Sequence, residues 1–146
     1  MWREPTEADV LDVLNAPETI AYQAAAKRTG QDVLAGIFKK VVDFCRGYIG
    51  DNPANQLAAG MTLPDRAMRP AMHLVRVDLL TRLGREVDED RRTAGKEALR
   101  FFERVSDGKV QIEQPEGALD TSGPVSSVEV VSQHERQATR QTMAGL

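Results

Sequence analysis

Apolar residues recur at helical spacing through most of the chain, most densely between residues 31 and 49. There Leu34, Ile37, Val41, Phe44 and Tyr48 alternate steps of three and four and share one helical stripe. Val33, Phe38, Val42, Cys45 and Ile49 add a second, adjoining stripe. An apolar surface that wide must touch neighbours on more than one side, so this segment is the expected central core helix.

The same pattern places four further helices. Thr6-Glu7-Ala8-Asp9 precedes Val10, Leu11, Val13 and Leu14 and predicts a short capped helix, in which the Thr6 hydroxyl would accept a bond from an orphan N–H. Asn15-Ala16-Pro17 breaks it, and a second helix is expected over 17–28, with Pro17 in the first turn and Gly30 just past the end. Gly50 to Met61 reads as a loop. A helix over 64–83 would turn Met68, Met72, Val75, Leu79 and Leu83 inward, with Gly84 as its stop. Pro70 is awkward inside it, and predicts either a later start or a kink at Arg69-Pro70. The last helix is expected over 89–105, with Asp88, Glu89 and Asp90 at its start, Gly108 at its end, and Ala94, Ala98, Leu99, Phe102 and Val105 inward.

From Val110 onward the pattern dissolves. Gln114-Pro115-Glu116-Gly117 and Thr121-Ser122-Gly123-Pro124 are turn and linker chemistry. Residues 110–146 hold nine large apolar side chains and no aromatic ring, whereas 31–49 alone hold ten apolar side chains in nineteen positions. Ordering the last stretch would cost more backbone entropy than so few contacts return. The expected fold is therefore mainly α: a small bundle of about four to five helices over 1–109, with an extended C-terminal arm over 110–146 that orders only on a partner. Within the arm, Ser127-Val128-Glu129-Val130-Val131 alternates weakly and could add a strand to another molecule.

Composition narrows the function classes. Aromatic residues make up only 5%, so the core must rest on aliphatic side chains and interlocking helices. Formal net charge is −3, which gives no general attraction to nucleic acid or anionic membrane. The single cysteine excludes an internal disulfide and points to assembly in a reducing compartment; with no apolar run of spanning length, the protein reads as cytosolic when made. His73 and His134 are the only histidines and lie in no zinc-binding pattern; there is no phosphate-cradling glycine loop and no nucleophile elbow. Cys45 reads as a core residue rather than a nucleophile, and His73 as a boundary residue rather than a general base. Glu86, Asp88, Glu89 and Asp90 read as a solvated helix start, the alternative being a cation or docking site. No catalytic residue, metal or cofactor is expected. One charged feature stays open. Arg92, Lys96, Arg100 and Arg104 recur every four residues on one ridge, either neutralised by Glu89, Glu97 and Glu103 or free to dock an acidic partner or DNA phosphates.

Several segments resemble the Mu-type head–tail connector (adaptor, or head completion) proteins of tailed bacteriophages. They are Thr6-Glu7-Ala8-Asp9-Val10-Leu11, the helix ending Asp43-Phe44-Cys45-Arg46-Gly47-Tyr48-Ile49, the helix Met68 to Leu83, and Ala98-Leu99-Arg100-Phe101-Phe102-Glu103-Arg104-Val105-Ser106-Asp107-Gly108-Lys109. The terminus from Arg136 to Leu146 is similar to the short arm that closes such proteins. Two departures are Ala138, where the family usually has an aromatic, and Pro70, inside a helix the family keeps smooth.

The resemblance implies a virion structural protein of the neck, a cyclic homo-oligomer (dodecameric in the virion) joining the portal of the filled head to the next neck or tail protein. DNA would be only a passing occupant of its channel. It implies a portal contact in the arm, chiefly Arg136, Arg140, Met143 and Leu146, with the Arg92–Lys96–Arg100–Arg104 ridge as a second contact. The alternative expectation is a small helical DNA-binding protein, a regulator or packaging subunit, whose basic ridge faces phosphate.

Overall fold

A computed structural model of the chain describes residues 1–30 and 32–118. In chain order its elements are β1 (Trp2–Arg3), α1 (Glu7–Leu11), α2 (Ala16–Thr29), α3 (Val33–Asp51), β2 (Leu63–Pro64), α4 (Asp65–Arg82) and α5 (Glu89–Ser106). The mainly helical bundle expected from the periodicity is present.

Three helices, α2, α3 and α5, begin at a residue whose side chain answers their unpaired N–H groups. Asn15 accepts from the Glu18 N–H at 3.0 Å, Asp32 from Leu34 and Ala35 at 3.1 and 3.2 Å, and Asp88 from Arg91 at 3.0 Å. At α1 the arrangement differs from expectation. The Thr6 hydroxyl donates to Asp9 Oδ2 at 2.9 Å, joined by the Thr6 N–H at 2.8 Å, because Asp9 is the stronger acceptor. Three helices close on glycines in the left-handed region, Gly30 (φ 59) after α2, Gly84 (φ 68) after α4 and Gly108 (φ 76) after α5, a conformation side chains resist.

Three helices, α3, α4 and α5, pack on one another and enclose the core, with α1 against α4. Val42, Cys45, Ile49, Met72, Val75, Leu79, Phe102 and Val105 are sealed at its centre. On α4 the inward face gains Ala67, Ala71 and Leu80, while Leu83 is only partly buried. The helix runs unbroken through Pro70 from Asp65, so it does not begin later; the proline lacks the N–H that would bond to the carbonyl of Arg66.

The N-terminus and the stretch after α5 form a clasp at one end of the bundle. β1 pairs antiparallel with β2, Trp2 opposite Pro64 and Arg3 opposite Leu63. The Trp2 indole N–H donates to the Glu113 carbonyl at 2.8 Å, and the Met1 ammonium pairs with the Glu113 and Asp65 carboxylates. Arg66 donates from its backbone N–H to Glu113 Oε1 (2.9 Å) and from its guanidinium to the Gln111 carbonyl (2.7 Å). Ile112 is buried among the core side chains. The loop between α3 and β2 is held by Arg46, which donates to the carbonyls of Thr62 and Ala58, both at 2.7 Å, and lies over the Trp2 ring. The first compact unit accordingly ends at Glu116 rather than at Lys109, because 110–116 return to the core. Of the second unit, Gly117–Leu146, only residues 117 and 118 are described.

Candidate functional site

The ten apolar positions of α3 cannot all face one core, and the core face crosses from the first stripe to the second along the helix. Leu34, Ile37 and Val41 are buried on the first stripe, then Val42, Cys45 and Ile49 on the second. Phe44 is thereby left 46% exposed and Tyr48 only partly buried, the two rings edge to face with centroids 5.0 Å apart. Beside Phe44 the bundle opens into a groove of about 540 Å³. Its floor is apolar: Val41 and Phe44 from α3, Leu74 and Val77 from α4, and Leu99 from α5. Gly95 lets α5 approach α4 here, since a Cβ at that position would lie 3.3 Å from the Val77 side chain.

The rim of the groove is charged. Lys40 pairs with Asp78 at 3.1 Å, while Arg92 and Lys96 stand on the α5 side. All four ridge residues, Arg92, Lys96, Arg100 and Arg104, are exposed on α5, and none takes part in the ion pairs made among the described residues. Glu89, Glu97 and Glu103 make no ion pair with the ridge among the described residues. Two of its members border an apolar trough; Arg100 and Arg104 continue the ridge beyond it. The arm residues Arg136, Arg140, Met143 and Leu146, with Ser127–Val131 and His134, lie outside the described residues.

Opposite chemistry holds α2 in place. Glu18 is 3% exposed and accepts from both Arg76 Nε and Nη2 at 3.0 Å, and it pairs with Arg91, which also pairs with Asp88. One carboxylate thus joins α2 to α4 and α5. Burial opposes its ionisation, but the bonds from Arg76 and the Asn15 N–H, with the charges of Arg76 and Arg91, prevail and lower its pKa. Glu18, Tyr22 and Ala25 form the buried stripe of α2, so the signal in the sequence was an acid at an inward position.

Cys45, His73 and the Arg3 cluster lie apart from both features. Cys45 is fully buried, and burial pushes its thiol up to about 12. His73 is half-buried between Arg69 and Glu97 in a cleft of about 250 Å³; burial first, then the charges of Arg69 and Arg76, lower its pKa. A polar cleft of about 420 Å³ holds Arg3, Asp9, Asp12 and Asp65. Within it Arg3 grips Asp9 through two bonds of 2.8 Å and Asp65 through one of 3.0 Å, and Arg3 holds the Asp9 carboxyl well below the usual range. A carboxyl so firmly ionised is a poor proton donor near neutrality. Asp88, from the acidic cluster, caps α5. Among the described residues no three His, Cys, Asp or Glu side chains are gathered as metal ligands, and no helix is long and apolar enough to cross a membrane.

No family model, curated protein or solved structure matches the chain.

Proposed function

We propose that the protein is an assembly protein of the head–tail connector kind: a virion structural component that forms a ring between the portal and the next neck or tail protein. The observation that supports this reading is the groove, an apolar trough bordered by Arg92 and Lys96, which make no ion pair among the described residues. Apolar floors with charged rims suit docking of another protein chain, where the floor supplies affinity and the rim sets register. A closing ring needs two different patches per copy, one meeting the other on its neighbour. The groove is one such patch.

The test is reconstitution of the full chain with the portal protein encoded in the same genome, followed by native mass spectrometry and electron microscopy. A complex with cyclic stoichiometry is expected. Portal rings that remain bare at saturating protein would overturn the proposal. The exposed basic ridge also favours a second reading, binding of DNA phosphates, which predicts duplex binding that weakens steeply with salt. No binding to duplex DNA at low salt removes it.

A further inference from the structure

We infer that the groove between α3, α4 and α5 receives residues 125–131 of a neighbouring copy, Val125-Ser126-Ser127-Val128-Glu129-Val130-Val131. This rests on the assembly reading and names the chain segment that would link one copy to the next. Three observations select that occupant.

The first is chemical fit. The floor is built from Val41, Phe44, Leu74, Val77 and Leu99, and its volume of about 540 Å³ suits a few aliphatic side chains rather than a whole helix. The segment supplies four valines around one acid.

The second is charge. Asp78 already answers Lys40, while Arg92 and Lys96 stand beside the trough without an ion pair among the described residues. Between Lys109 and Arg136 the chain has no Lys or Arg, and Glu129 sits among the valines. Met143 and Leu146, the other apolar residues late in the chain, follow Arg136 and Arg140, which would meet the rim with like charge.

The third is symmetry. Two copies joined groove to groove would bring Arg92 and Lys96 against the same residues of the partner. That is an unfavourable pairing, so the contact between copies must join unlike patches.

The experiment uses the full chain carrying a photo-crosslinking phenylalanine analogue at position 44, prepared as an equal mixture of isotopically light and heavy protein. After illumination of the assembled form, the crosslinked peptides are identified by mass spectrometry. Crosslinks from Phe44 to 125–131, with light–heavy pairs present, are the expected result. Glu129→Lys should lower their yield by about 2- to 5-fold, and Glu129→Lys combined with Lys96→Glu should restore much of it. Crosslinks to any other segment, crosslinks confined to one chain, or no crosslink in an assembled ring would overturn the inference. A ring that forms on the portal without this crosslink leaves the connector reading standing and sinks only the occupant of the groove.

Discussion

Glu18 shows how much one side chain can carry. Its helix buries little apart from Tyr22 and Ala25, so the carboxylate's grip on Arg76 and Arg91 is the main tie between α2 and the bundle. Removing a buried partner leaves the opposing charges without compensation. Glu18→Ala should therefore cost about 3 kcal/mol in chemical denaturation, and Glu18→Gln, which keeps the shape and loses the charge, should cost less. The pH dependence follows from the sign of the shift. The folded pKa lies below the ordinary 4.5, so the stabilisation is present above 4.5 and is lost as pH falls toward the folded value. Glu18→Gln should flatten the decline in stability below that point, measured as denaturation midpoint against pH. Cys45 yields a complementary check. Its thiol is buried and pushed up to about 12, so a thiol reagent at neutral pH should react only as fast as the protein unfolds. Rapid labelling of the native protein would contradict the packing of α3.

Helix α4 tests what an element tolerates. Pro70 lies in its second turn and forfeits one backbone hydrogen bond, yet Met68, Met72, Val75 and Leu79 stay in phase on either side. Packing overrides the local penalty. Pro70→Ala should raise stability by about 1–2 kcal/mol, seen as a higher denaturant midpoint at unchanged slope. The helices themselves were legible in the sequence because their signals are local: apolar residues at helical spacing, Asp88 before the start of α5, and Gly30, Gly84 and Gly108 after the ends. The core face of α3 was less legible. Both stripes were visible, but only the positions of α4 and α5 decide that the buried face crosses from Leu34 to Ile49 and leaves Phe44 outside. The groove beside Phe44 was unreadable for the same reason, although two of its rim residues, Arg92 and Lys96, were singled out by their spacing. The clasp of Trp2, Arg66 and Glu113 joins positions far apart in the chain, and no periodicity announces such a pairing.

At the scale of the whole molecule, the question is where the self-supporting part ends. Residues 110–116 supply the buried Ile112, the Glu113 carboxylate that meets Met1 and the Arg66 N–H, and the Gln111 carbonyl that holds the Arg66 guanidinium. Ending the chain after Lys109 removes all of these, exposing apolar surface around Ile112 and orphaning N–H groups at the start of α4. It should lower stability by at least about 2 kcal/mol, the value of burying one such aliphatic side chain. Ending it after Glu116 keeps every one of those contacts and should leave the denaturation midpoint where the full chain has it. The two truncations thus separate folding from assembly, since the longer form retains the bundle and the groove but lacks the segment proposed to bind there. It should stay folded by circular dichroism and fail to link copies on the portal. A marked loss of stability on removing 117–146 would show instead that those residues help to hold the bundle together, and would remove the ground for treating them as chain available to a neighbour.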